Sequence, residues 1–238
     1  SNSKLVTAAT VYGDVSGFTA HINSATTDDQ RRERLREFHA IRRELARVVK
    51  LDYDCVRVQF QGDRIQAIVS LPADDAAAIS DTAVRLGLAL QASFERVLKD
   101  LLPGIVGLGL AVGISRGTTI AAKLGAYGHR DRICLGAQVL QAEQNEEHVG
   151  PKQTGISGNV RDHLEEGVSK HFTWSAAAGC HVATGLDIVV LERATKGAGA
   201  YAAAAGIGIT TTPAGPRVSP DSTAGRTVQP ARSWSPDW

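Results

Sequence analysis

Methionine is missing altogether from this chain of 238 residues, and cysteine occurs only three times, at Cys55, Cys134 and Cys180. Three widely spaced cysteines in apolar surroundings give no disulfide framework and read as reduced, buried thiols, which favours the cytoplasm. No run approaches the roughly 18–20 apolar residues of a membrane span, and no signal peptide is visible, so no direct membrane segment is expected. Lys and Arg number 26 against 25 Asp and Glu, so there is no charge surplus to recruit nucleic acid or a membrane surface. The seven histidines lack the tight spacing of a zinc site, and neither a P-loop nor a Ser-His-Asp order is present. Ser1-Asn2-Ser3, with no methionine, is expected to be a processed or tag-scarred start.

What is present is a hydrophobic fraction of 43%, enough for a real core, and a clear alternation of elements. Residues 4–12 read as a strand, and 28–50 as a helix whose apolar stripe runs through Leu35, Phe38, Ile41, Leu45 and Val48. Residues 54–60 and 65–71 form a hairpin about Gly62-Asp63. A second long helix covers 74–102 and ends at Pro103-Gly104. Residues 105–115 and 117–124 are expected to be paired strands, with a polar loop at 125–132, a short strand at 133–135 and a helix opened by Gly136. One domain is expected over 1–194. From Thr195 the composition turns to Ala, Gly, Pro, Ser and Thr, which predicts a low-complexity extension over 195–238. The expected fold is α+β, a ferredoxin-like sandwich with a mostly antiparallel sheet flanked by helices. A doubly wound parallel fold fits less well, because the Gly62 hairpin leaves no room for a crossover helix.

The chemistry is carried by two aspartates. Asp14, in Gly13-Asp14-Val15-Ser16-Gly17-Phe18-Thr19, and Asp63, in Gln61-Gly62-Asp63-Arg64, each lie where a strand gives way to a turn. As a lone turn residue either would be ordinary. Together, in neighbouring strands, they can hold hard divalent cations, because two close carboxylates repel unless a cation lies between them. The turn from Val15 to Thr19 leads into a helix, so its backbone N–H groups can receive an anion.

The first motif resembles the Asp-x-x-Gly-Phe-Thr signature of class III nucleotide cyclases, and Gly62-Asp63 resembles their second metal-binding aspartate. Val112 to Gly117, Leu124-Gly125 and Leu135-Gly136 resemble later landmarks of the same family, so the likeness spans about residues 4–193. The resemblance implies conversion of a nucleoside triphosphate to its 3′,5′-cyclic monophosphate and pyrophosphate with two Mg²⁺ or Mn²⁺ per site, in a homodimer with sites at the interface. It implies Asp14, Asp63 and the Val15 carbonyl as metal ligands, and Ser16, Gly17, Phe18 and Arg116 at the phosphates.

Departures accompany the likeness. Gln59 and Ile133 occupy the base-reading positions, while Leu140 and Gln144 stand where the family has a transition-state Asn and Arg. Arg64, Arg116, Lys123, His129, Arg130 and Arg132 are cations available nearby, and Tyr12 or Tyr53 could stack on a base. The pattern looks like the stand-alone bacterial pyrimidine cyclases of anti-phage defence, implying UTP and cyclic UMP. Cytidylate or adenylate cyclization with an altered pocket, or a degenerate nucleotide-binding or dimerisation module, are the other readings.

Overall fold

The computed structural model describes residues 3–126 and 129–188, with only the backbone at 56–58, 126 and 129–131. The expected extension over 195–238 lies outside the described residues, as does the domain boundary before it. One mixed sheet has the strand order β2-β3-β1-β4-β6-β8-β7, with β5 attached to β4. The strands are β1 (Ser3–Ser16), β2 (Val56–Gln61), β3 (Arg64–Val69), β4 (Gly109–Ala126), β5 (His129–Leu135), β6 (Gln153–Ile156), β7 (Thr173–Ser175) and β8 (Cys180–Thr184). All pairs are antiparallel except β4 with β6.

The helices are α1 (Phe18–Asn23), α2 (Asp28–Arg47), α3 (Ala76–Asp100), α4 (Ala137–Glu147), α5 (Gly158–Arg161) and α6 (Glu166–Ser169), with a π-helical turn at Val48–Asp52. A capping box between Thr27 and Gln30 opens α2, and the Asp75 side chain accepts from the Ala78 N–H to open α3. Their stripes bury Ile41, Leu45, Ile79, Leu86, Leu90 and Phe94 against one face of the sheet. α4 covers the other face, where Val139 and Ala142 meet Ala8, Tyr12, Ala121 and Cys134. β1 is therefore buried on both sides, odd residues such as Ala9 and Val11 toward α3 and even ones such as Ala8 and Tyr12 toward α4. This parity puts Asp14 on the α4 side.

The expected strand pair at 105–115 and 117–124 is instead one strand, the 18-residue β4. β1 runs opposite it from Ser3↔Ala122 to Ser16↔Gly109, so Arg116 and Gly117 fall in mid-ladder, opposite Ala9 and Ala8. Gly117 makes no turn; a Cβ there would stand 3.4 Å from Gln138, so the glycine admits a side chain from α4. The partner that returns along β4 is β5. All three cysteines are free and buried, and burial pushes Cys55 up to about 12 and Cys134 and Cys180 up to about 11. Among the described residues no helix is long and apolar enough to cross a membrane.

Candidate active site

Asp14 stands two residues before the end of β1, and the chain then turns at Gly17. Gly17 has φ +83°, and a Cβ there would lie 2.4 Å from the Gly107 carbonyl oxygen, so only glycine fits. Phe18 turns inward and meets the Phe38 ring at 4.5 Å, leaving its backbone, not its side chain, to the turn. His21 Nε2 lies 2.8 Å from Glu37 Oε2, a second tie between α1 and α2. The Ser16–Phe18 turn is thus held on a fixed support.

Asp63 sits in the two-residue β2–β3 turn, between Gln61 and Arg64, which pair with each other. Gly62 alone takes a positive φ, +63°, as a turn with glycine in first position requires. β3 lies beside β1, with Gly13 opposite Ile65, so the hairpin tip comes to the Asp14 end of β1. Burial raises the Asp63 carboxyl, and the Asp14 charge raises it further; its own N–H and Arg64 pull the other way. Asp14 is raised chiefly by burial and also by Glu147, against Arg64 and a hydrogen bond from the Val15 N–H. Two hard oxygen donors whose ionised forms are both disfavoured make a pair that a divalent cation would relieve. Among the described residues no three His, Cys, Asp or Glu side chains are grouped to hold a metal. A pair of carboxylates suits a hard divalent cation that completes its shell with phosphate oxygens and water.

Three acidic residues escaped the sequence reading. Glu143, Glu146 and Glu147 of α4 converge on Arg64, with Arg64 Nη1 2.5 Å from Glu143 Oε1, and Nη2 3.0 Å from Glu146 Oε2 and 3.5 Å from Glu147 Oε1. The Arg64 Nε is 3.8 Å from Asp14 Oδ1. Glu146 is 4% exposed; burial lifts its carboxyl to about 7 despite Arg64, and its Oε2 makes no hydrogen bond although the ion-pair distance is short. The i, i+3, i+4 spacing of these glutamates was the available signal. Leu140 and Gln144 are exposed on α4.

Gln59 lies next to the β2 irregularity and opposite Gln66, whose buried Nε2 lacks a partner. Ile133 stands opposite Ala122 in β5, and β5 approaches β2, so the two base-position residues lie on neighbouring elements. Tyr12 is buried beneath Arg64, and the half-buried Tyr53 donates its hydroxyl to the Arg85 carbonyl on the α3 side. Arg116, expected at the phosphates, stands opposite Ala9, five rungs from Asp14 along the β1–β4 ladder, about 16 Å at strand spacing. Within one chain it does not join the Asp14 turn. Lys123 and Arg132 oppose each other in the β4–β5 ladder, while the side chains of His129 and Arg130 lie outside the described residues.

Residues 3–189 match the model of the adenylate and guanylate cyclase catalytic domain. The chain belongs to that family. A uridylate cyclase from Pseudomonas aeruginosa is 35% identical over 182 residues, covering 72% of this chain and 34% of that protein. A uridylate cyclase from a Rhizobium species is 26% identical, over 75% and 35% respectively. The chain therefore spans about a third of the length of the curated relatives it matches. Among solved structures, a class III adenylyl cyclase-like ATP-binding protein from Pseudomonas aeruginosa superposes with TM-score 0.71 at 29% identity, covering 81% of this chain and 41% of that one. The guanylyl cyclase Cya2 superposes at TM-score 0.62 and 19% identity, over 76% and 91%, a likeness of fold. These relatives bear out the mixed, mostly antiparallel class III cyclase fold.

Proposed function

We propose that this domain is a nucleotide cyclase that converts UTP to 3′,5′-cyclic UMP and pyrophosphate in the cytoplasm, as a second-messenger source in bacterial anti-phage defence. The observation that carries the reading is the approach of Asp14 and Asp63 beside the Gly17 turn within a cyclase domain. Asp14, Asp63 and the Val15 carbonyl would hold two Mg²⁺ or Mn²⁺ ions, which would lower the pKa of the ribose 3′-hydroxyl and neutralise the triphosphate. The Ser16, Gly17 and Phe18 amides would position the phosphates, and their rigid mounting on α2 limits reorganisation during the reaction.

Uracil is favoured by the relatives named uridylate cyclase and by Gln59 and Ile133 at the base positions. ATP is the runner-up, favoured by the similarity to the ATP-binding protein. A homodimer with active sites at its interface belongs to the same proposal. Its support is a row of exposed side chains that are direct ladder partners, Leu5, Ile120 and Leu135, at 72%, 45% and 56% exposure. Another cyclase of this fold, 15% identical, was solved as a non-canonical dimeric guanylyl cyclase domain.

The test is purified protein with Mn²⁺ and each of the four nucleoside triphosphates, with chromatography of the products. Cyclic UMP as the main product supports the reading. No cyclic product from any nucleotide overturns it, and cyclic AMP as main product replaces UTP by ATP.

A further inference from the structure

Arg64 follows Asp63 directly, and its side chain leaves β3 on the α4 face of the sheet, the face of Asp14. All three of its guanidinium nitrogens meet carboxylates. Nη1 and Nη2 are gripped by α4, at 2.5 Å from Glu143 Oε1 and 3.0 Å from Glu146 Oε2. Nε alone turns to Asp14, and at 3.8 Å from Oδ1 this is the longest of the contacts.

The grip comes from a close approach of helix to strand. A Cβ at Gly113, opposite Tyr12 in the β1–β4 ladder, would strike the backbone of Ala142 and Glu146, so glycine there lets α4 lie directly on β4. That approach carries the buried Glu146 to the guanidinium, which also stands 5.8 Å over the Tyr12 ring. With its Nη groups on α4 and its stem beside Tyr12, Arg64 keeps its place when Asp14 is engaged by something else.

We propose that Arg64 is a positioning residue that couples divalent-cation binding to the triphosphate, an inference that rests on the reading of Asp14 and Asp63 as the metal ligands. Its positive charge beside the Asp14 carboxylate repels a bare divalent cation. A unit charge about 6 Å from a divalent one costs about tenfold in affinity even at the dielectric constant of water. A triphosphate at the Ser16–Phe18 turn brings negative charge to the same place, and the guanidinium then offsets the repulsion between phosphates and the α4 glutamates. Arg64 therefore favours a metal–nucleotide complex over the bare ion. Retention by Glu143 and Glu146 lets it yield Asp14 without leaving the site.

Electron paramagnetic resonance of unbound Mn²⁺ tests this on the full chain. It is run with and without a UTP analogue whose α,β-bridging oxygen is a methylene and which cannot release pyrophosphate. Arg64→Gln is expected to tighten Mn²⁺ binding about tenfold without the analogue, and to stay within about threefold of native with it. A merely structural Arg64 gives the opposite sign, since a loosened hairpin binds Mn²⁺ less well. Asp63→Ala added to Arg64→Gln abolishes the tight binding if the ion is at the aspartate pair and not at the released glutamates. Melting curves establish that the variants fold. If Arg64→Gln does not, the double variant Arg64→Gln with Glu146→Gln, which buries no bare charge, takes its place. The assignment is overturned by unchanged or weaker Mn²⁺ binding in the folded variant, by equal tightening with and without the analogue, or by tight binding that survives Asp63→Ala. Cyclic product formation by the native protein is untouched by the first two results, so failure here and failure of the triphosphate assay are distinguishable.

Discussion

Two arginines on opposite faces of the sheet live under opposite conditions. Arg64, on the face toward α4, meets Asp14, Glu143, Glu146 and Glu147 within 3.8 Å. Arg116, on the face toward α5, meets a carbonyl, a histidine and an asparagine, and no carboxylate among the described residues. A cation among four carboxylates is a counter-ion whose first role is to make an acidic pocket tolerable. A cation without a carboxylate partner among the described residues keeps its charge uncompensated there. The same residue type on the two faces of one sheet thus lives under two different conditions, decided by its neighbours.

The largest expected effect tests the acidic side. Asp63→Ala should lower kcat on the preferred triphosphate by on the order of 10³-fold or more, because it removes half of the carboxylate pair. The variant should keep its melting temperature or gain slightly, since burial and the Asp14 charge both disfavour the ionised Asp63 carboxyl. Native turnover in a folded Asp63→Ala protein would mean that the hairpin tip is only a turn.

How much of this pair was legible beforehand follows from how local each signal is. Gly17 and Gly62 mark turns through φ values that few other residues adopt, so the strand-end aspartates could be read from sequence. The ferredoxin-like order and the α4 start at Gly136 rest on periodicity and were equally legible. The Arg64 cluster was not, because it needs α4 to lie across β1 and β3, 79 residues away in sequence. The continuous β4 was misread because Gly117 looked like a turn, whereas its missing side chain makes room for Gln138. Arg116 was placed at the phosphates through the family resemblance, and the expected hairpin hid that it stands five rungs from Asp14 within one chain.

Removing Arg64 should be the largest stability change. Arg64→Ala leaves Glu146, 4% exposed, without its cation, a loss of about 3 kcal/mol at pH 8 by urea denaturation. The cost should shrink toward pH 5, where Glu146 binds a proton and no bare charge remains buried. A loss independent of pH would assign Arg64's contribution to packing on Tyr12 instead.

Glu146 itself gives the next effect. Its folded pKa, about 7, lies above the ordinary carboxylate value of 4.5, so the folded state holds the proton more tightly than the unfolded chain. That stability is fully present below pH 4.5 and is lost as pH rises through about 7. Glu146→Gln should remove this slope and leave the protein about 1–2 kcal/mol more stable than native at pH 8, with little difference at pH 4.5. Parallel stability–pH curves for the two proteins would show that Arg64 already compensates the charge fully.

The smallest expected effect is on the other face, and it sharpens the contrast most. Arg116→Gln breaks no ion pair among the described residues, and its Nη2 contacts are long, 3.3–3.4 Å. A stability change within about 0.5 kcal/mol is expected, nearly independent of pH. Salt should separate the two arginines as well: the Arg64→Ala loss persists in about 0.5 M NaCl because its partners are partly buried, whereas Arg116→Gln removes no ion pair among the described residues that salt could screen. A loss for Arg116→Gln comparable with that of Arg64→Ala would mean that Arg116 is spent on tying β4 to α5. A near-zero value leaves its charge uncompensated by the described residues around it.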